Sequence, residues 1–480
     1  MSATCPLPAS AQYRNLFVFA ACTGLQYLAA PVMYVGITQA SLCDKLGADA
    51  RVANLPATFY FAMTAMPALI VWLFPHVKHL KWTLCLCYAA VAAIMLFVAF
   101  ILQTDLPNST KIGFVILQGA ISGAAGPTAI ALLWEVIGRG TDESRRGQAL
   151  GLAFGFGPIL AVVGSLGQVY LLGGNIFGWE FKGLEYPQGF VWLFGLGAPA
   201  MLLGSLCGAI CIVPQPEYEH PRKPISDVMS LCVGLALGFV ALALFFISTS
   251  EGSSSQPWMR QVGFAFLVAA SLCVVYHFRD ILNQRTLLIA TIVTILVYSG
   301  NTIPSNMNLY SKIALGDAPE KFAGLQNTLR FSFKVVAGLL LGFLLTKTNP
   351  RAGIFATAGI YVLAMAWAIV ATGKAYLLAF GIFGAGELIG VYCPNYMLSA
   401  SRKEDIRRAM AFVTMLMVPA APTGYMFGAI VDALKPIKGE QFAFRTSFAV
   451  CAMMILAGIV LALVMLPAKP SAAAEPQRND

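Results

Sequence analysis

The sequence predicts an all-α polytopic membrane protein. Two six-helix bundles of similar plan are expected, with a two-helix insertion between them. Three observations carry this. Only 11% of the 480 residues are charged while 58% are hydrophobic, and the mean hydropathy is +0.74; a soluble domain carries about 25% charged residues. Fourteen apolar segments follow one another along the chain. A charged turn is repeated in the two halves. Asp142-Glu143-Ser144-Arg145-Arg146 joins segments four and five, and Lys403-Glu404-Asp405-Ile406-Arg407-Arg408 joins segments twelve and thirteen.

In order, the segments lie near 15–37, 55–75, 82–102, 112–137, 147–172, 189–213, 228–248, 261–277, 286–314, 323–346, 352–372, 375–400, 408–433 and 443–467. Each is long enough to cross a hydrocarbon layer about 30 Å thick as a helix. Several contain Gly and Pro, as in Gly155-Phe156-Gly157-Pro158 and Pro419-Ala420-Ala421-Pro422. Membrane helices tolerate these residues where helices line a cavity or must flex. An even insertion keeps both halves in the same orientation, as a parallel repeat requires. The expected divisions are an N-terminal bundle over 1–214 and a linker with the inserted pair over 215–284. A C-terminal bundle over 285–468 and a disordered cytoplasmic tail over 469–480 follow. The inserted pair reads as a peripheral spacer.

Orientation follows from basic residues in short loops. Lys78, Lys81, Arg139, Arg145, Arg146, Arg279, Arg285, Lys347, Arg351, Arg407 and Arg408 fall on one side. Lys435, Lys438 and Arg445 run against the bias. Both termini are therefore expected in the cytoplasm, in a cell (inner or plasma) membrane. The net charge of +9 is topology information here, and no nucleic-acid partner is implied. Only Arg14 precedes the long first apolar run, so no cleavable signal peptide is expected. The cysteines are scattered; Cys85 and Cys87 are two apart on a helix and face different ways, which argues against a metal pair. No phosphate-binding glycine loop and no HExxH pattern occurs, so no enzyme activity and no cofactor are expected.

The turn DESRRGQALGL resembles the connection between the fourth and fifth helices of the major facilitator superfamily. The run Gly342 to Arg351, GFLLTKTNPR, resembles a degenerate copy of that family's cytoplasmic gating signature, with Thr346 where an acid is usual. The equivalent first-half loop, FPHVKHLK over 74–81, lacks the signature. That departs from the drug-exporter and sugar-porter branches. The inserted pair resembles the fourteen-helix variants. The resemblance implies alternating access around a midplane cavity lined by segments one, two, four, five, nine, ten, twelve and thirteen, in a protein acting as a monomer.

Segment ten, AGLQNTLRFSFKVVAGLLLGFLLT, carries Arg330 and Lys334 inside its apolar run. A charge at that depth costs roughly 2.5–3.5 kcal/mol on insertion scales, and so faces a bundle interior or a wet cavity. Spacing i, i+4 puts both cations on one face. Segment twelve carries Glu387 at matching depth, in GAGELIG, and a Glu387–Lys334 pair is expected. Two readings stay open for it: a static ion pair, or a coupling site at which Glu387 exchanges a proton. Two cations against one carboxylate leave an excess positive charge, which favours an anionic solute held by Arg330 and Lys334. Gln26 and Tyr27 in segment one, and Asn301 and Asn306 in segment nine, are further candidates for binding solute; interhelical hydrogen bonding is the alternative for each. Glu135, Arg139, Arg145, Arg146, Lys347, Arg351, Arg407 and Arg408 are expected to form a cytoplasmic gate. Function is thus read as secondary active transport of a small polar, anionic solute, with the proton as a candidate coupling ion. The rivals are an exporter of amphipathic or lipid-like compounds, and a transporter-shaped receptor without net transport.

Overall fold

A computed structural model describes residues 7–34, 36–142, 148, 151–176, 179–214, 224–250, 257–400, 412 and 415–470. Apolar runs become helices because hydrocarbon offers no partners for backbone N–H and C=O groups, which must therefore pair within the segment. Ten described helices are long and apolar enough to cross a membrane, among them Ala50–Leu73, Val77–Leu102, Asn108–Gly140, Arg285–Leu315 and Glu440–Met465. The chain is a multi-pass membrane protein. The strands among the described residues are Gly174–Ile176 and Trp179–Phe181, an antiparallel hairpin with Asn175 opposite Glu180.

The helices group in space as they do in sequence. In the first half Leu80–Leu102 packs on Gln188–Ala209 and on Asn108–Gly140, which Leu55–Ala62 also meets. In the second, Pro350–Val370 packs on Glu440–Met465 and on Leu378–Gly386. The halves meet where Gly157–Leu172 crosses Glu320–Lys347, and where Pro422–Lys438 crosses Ala50–Ala53. The inserted helices, Met229–Ser250 and Pro257–His277, pair with each other. The first arm also lies on Asn108–Gly140, and the second on Met417–Ala420 and Pro422–Lys438.

Several crossings are broken rather than continuous. Segment one is longer than expected: it runs as Ala9–Leu28, Ala30–Met33 and Ile37–Lys45. Gly36 enters its last piece at φ 137°, a conformation that L side chains rarely adopt. The break strips the Val32 carbonyl of a helical partner inside the protein. Two buried amides replace it: Gln39 Nε2 donates to Val32 O at 2.8 Å and Gln118 Nε2 at 3.0 Å. Segment nine splits into Arg285–Tyr298, a 3₁₀ turn Ser299–Thr302, and Pro304–Leu315. Segment twelve splits into Leu378–Gly386 and Ile389–Ala400, with Glu387 in the joint. Segment five opens as a π-helical turn, Gly151–Phe156, before Gly157–Leu172.

We call distal the end that carries Lys45 to Ala50 and Leu315 to Glu320, and proximal the end where Ala9 and Leu466 lie. Two of the basic residues that run against the loop-charge bias are engaged: Lys435 pairs with Glu440 at 2.8 Å, and Arg445 Nε donates to the Tyr310 hydroxyl at 3.1 Å. The repeated Arg145–Arg146 and Arg407–Arg408 turns lie outside the described residues. Replacing Gln118 with Ala removes one of the two donors to Val32 O and the acceptor of Gln39. This should cost about 1–3 kcal/mol, the usual penalty for orphaned buried polar groups, read as a lowered midpoint of thermal unfolding.

Candidate functional site

Glu320–Lys347 is a 28-residue helix, and Arg330 and Lys334 straddle its midpoint. Leu378–Gly386 packs against it so closely that a Cβ on Gly384 would collide with the Arg330 carbonyl. This approach delivers the next helical joint, with Glu387, to the two cations. The expected Glu387–Lys334 ion pair forms, and Arg330 binds the same acid more closely. Glu387 takes the Arg330 fork with both oxygens: Nε donates to Oε2 at 2.9 Å, and Nη2 donates to Oε1. Lys334 Nζ stands farther off, 3.6 Å from Oε2. A planar guanidinium matches a carboxylate at two points where an ammonium offers only a point charge, so the fork wins the acid. Arg330 and Glu387 are 9% and 10% exposed, whereas Lys334 keeps 23% of its side chain accessible.

Aromatic rings surround this trio. Arg330 lies 5.5 Å from the Phe331 centroid and 5.7 Å from that of Phe383. Tyr361 packs on Phe383, at 5.1 Å between centroids, and its hydroxyl donates to Asn301 Oδ1. From the other half come Tyr27 and Tyr34, 6.0 Å apart and packed in one cluster with Phe331. Tyr60 packs beside Tyr34, and Arg330 acts electrostatically on both. Of the residues proposed from the sequence, the structure brings Arg330, Lys334, Glu387 and Tyr27 together. Asn301 reaches the group through Tyr361. Tyr60 and Tyr361 went unnoticed in sequence because tyrosines in apolar helices look like core.

Two predicted site residues are placed elsewhere. Gln26 is fully buried inside the first half, and its Nε2 donates to the Tyr88 hydroxyl at 2.7 Å. Asn306 is fully buried at the distal end, where it accepts from Asn54 Nδ2 at 2.7 Å and donates to Ser447 at 3.2 Å. In both cases the amide N–H donates to another buried polar group.

The Asn54–Asn306 bond belongs to a distal seam joining the halves. Lys45 pairs with Glu320 at 2.8 Å, and Arg51 Nε with Asp432 at 2.9 Å. The same carboxylate accepts the backbone N–H groups of Ala50 at 3.1 Å and Arg51 at 2.9 Å. It thereby caps a helix start that belongs to the opposite half, where free N–H groups favour an anion. Ser41 donates to Asn308 at 2.8 Å, and Asn327 to Gln168 at 3.0 Å.

Three members of the expected cytoplasmic gate, Glu135, Arg139 and Arg351, bond within their own halves. Glu135 and Arg139 pair at 2.6 Å along one helix, and Arg351 Nη1 donates to Leu466 O at 2.6 Å. Lys347 is exposed. Arg145, Arg146, Arg407 and Arg408 lie outside the described residues. Among the described residues, then, the polar bonds between halves gather at the distal end. No group of His, Cys, Asp and Glu that could hold a metal occurs among the described residues.

Solved structures of transporters share the fold. The peptide transporter POT in complex with sulfate aligns with a TM-score of 0.65 at 12% identity, covering 98% of each chain. The nucleoside transporter NupG aligns at 0.57 and 13%, covering 93% of this chain and 98% of its own. The chain shares the fold of these transporters, as the resemblance to the major facilitator superfamily implies. A bacterial homologue of the human drug peptide transporters PepT1 and PepT2 aligns at 0.61 and 14%, covering 95% of this chain and all of its own. No protein-family model and no curated protein matches the sequence.

Removing one member of a buried ion pair strands the other. Glu387→Gln should therefore destabilise the fold by about 3–5 kcal/mol, while the double change Arg330→Met, Glu387→Leu should cost less than either single change. Thermal unfolding of the three variants checks the order.

Proposed function

We propose that the protein is a secondary active transporter for a small polar, anionic organic solute. In this reading it works by alternating access through fourteen crossings, with both termini in the cytoplasm of a cell membrane and one copy forming a complete pathway. The observation that carries the proposal is Lys334: a cation at the middle of a membrane helix, 3.6 Å from an acid already committed to Arg330, and still 23% exposed. The trio keeps one positive charge in excess. An exposed ammonium beside a satisfied ion pair is a handle for a carboxylate, phosphate or sulfate, with the hydroxyls of Tyr27, Tyr34 and Tyr60 on the facing half as hydrogen-bonding partners. The neighbours of this fold are described as carriers of peptides and nucleosides, which supports a small polar cargo.

Glu387 serves as the coupling group in this scheme. A proton on its carboxyl ends the two-point bond and frees the Arg330 fork, which then becomes available to the solute. The described conformation corresponds to the outward-closed state in this reading, since the distal seam is bonded while Glu135, Arg139 and Arg351 bond within their halves.

The inserted pair belongs to that closure. Arg260, buried on the second inserted helix, donates from Nη1 to Asp49 Oδ2 at 3.0 Å, while Asp49 Oδ1 accepts the Val52 N–H at 2.8 Å. Ser271 Oγ donates to Val418 O at 3.2 Å; the fourth residue on is Pro422, which has no N–H to give that carbonyl. Phe264 stacks on Tyr425 at 5.3 Å. The pair so grips one half at Asp49 and the other at Val418 and Tyr425, which is more than a spacer needs.

Lys334→Ala leaves the Arg330–Glu387 bond in place. The protein should fold and should lose a charged contact worth about 1.5–3 kcal/mol, seen as a ten- to hundredfold rise in the transport KM for an anionic solute. A thermal-shift screen of anionic and neutral metabolites supplies that solute. Stabilisation by neutral compounds alone, undisturbed by Lys334→Ala, would refute the anion reading. Arg260→Ala should loosen the distal seam and speed hydrogen exchange in Ile37–Lys45 and Pro304–Leu315. Unchanged exchange there would return the inserted pair to the role of spacer.

A further inference from the structure

We propose a second binding site, for the headgroup of an anionic phospholipid, in a cleft at the proximal end of the first half. The cleft has a volume of about 340 Å³ and lies between the start of Leu80–Leu102 and the stretch that follows Gln188–Ala209. Val77, Lys78, Lys81, Trp82, Cys211, Ile212 and Val213 line it.

Three features of this lining point to lipid rather than to a free anion. First, it is divided by polarity. Lys78 and Lys81 are one turn apart and stand at the rim, while Val77, Cys211, Ile212 and Val213 form an apolar floor. A soluble phosphate needs the rim alone; a glycerophospholipid uses both, phosphate against the ammonium groups and glycerol and acyl carbons against the floor. Second, neither lysine has a carboxylate partner among the described residues, so their charge is not already spent. Arg14 adds positive potential on the same wall, where it and Lys81 both act on Cys211. Third, Trp82 is 70% exposed at the cleft mouth. An indole at a helix end belongs at the headgroup level of a bilayer, which sets the depth of the opening.

The far wall is built in advance. Asn15 Oδ1 accepts the Ile212 N–H at 2.8 Å, and Asn15 Nδ2 donates to the Ile212 carbonyl at 2.7 Å and the Gly140 carbonyl at 3.2 Å. A single fully buried amide thus fixes residues 211–213 to the ends of two helices. With the wall held, lipid binding orders little that was not ordered before, which lowers its entropic cost. Basic pockets between membrane helices on the cytoplasmic side are a recognised place for such headgroups. The proposal rests on this end lying at the membrane surface and is independent of the solute at Lys334.

The test uses the purified full chain, delipidated in detergent, with phosphatidylglycerol, phosphatidylcholine or inorganic phosphate added. Native mass spectrometry counts retained lipid, and thermal unfolding reads stabilisation. Phosphatidylglycerol should be retained one to one above the others and should raise the unfolding midpoint. Lys78→Gln and Lys81→Gln should each weaken retention roughly fivefold, with the midpoint of the lipid-free protein unchanged. Asn15→Leu should weaken retention while leaving both lysines in place. Equal retention of phosphatidylcholine, retention unaltered in the Lys78→Gln, Lys81→Gln double variant, or an equal midpoint rise with inorganic phosphate would each overturn the proposal, the last by assigning the cleft to a soluble anion.

Discussion

Holding a guanidinium, an ammonium and a carboxylate at the middle of a membrane helix constrains everything around them. Each charge taken out of water incurs a penalty of several kcal/mol, and attraction offsets it only when geometry is good and the remaining polar atoms are satisfied. The chain meets this with two-point contact between Arg330 and Glu387, and the contact dictates local architecture. The acid must arrive within hydrogen-bonding distance of a side chain that projects from another helix. Hence residue 384 is glycine, with its backbone seated on the Arg330 carbonyl, and hence the helix yields at Glu387, just beyond the seat. Lys334 cannot share the same acid on equal terms, and its charge is left over.

The transport proposal rests on that leftover charge. A network balanced to neutrality would serve to pin two helices and nothing more. Here the imbalance sits beside tyrosines contributed by the opposite half. The bonded seam at the distal end and the charged trio at mid-depth are separate devices: in the proposed transport cycle one would set which side is shut and the other would draw in the solute. Among the described residues, the inserted helices connect to the first through Arg260.

Much of this was legible in the sequence, and for a simple reason. Hydrocarbon enforces helix, so apolar runs announce crossings, and counting residues from an end gives depth. That arithmetic put Arg330, Lys334 and Glu387 at one level. It gave the Glu387–Lys334 pair but not the closer Arg330 fork on the same acid, because this depends on side-chain reach across a particular helix crossing. Amides were harder. Gln26, Asn306 and Gln118 have the same chemistry as a solute-binding amide, and only the tertiary contacts show them occupied with Tyr88, Asn54 and Val32. The break after Met33 was hidden because its repair comes from Gln39 and Gln118, far apart in sequence. Asp432 drew no notice because a carboxylate near a helix end is cheap and common; its partners lie in the opposite half of the chain.

The way Asp432 closes the seam has an unequal consequence for the two sides. Two of its three partners are main-chain amides, of Ala50 and Arg51, which every residue except proline supplies. The recognising surface on the first half is therefore written in backbone and tolerates drift in its side chains. The whole chemical demand falls on one carboxylate of the second half. A lineage could exchange residue 50 for another small residue and keep the seam, yet a single change at 432 would leave two helix-end amides without their acceptor.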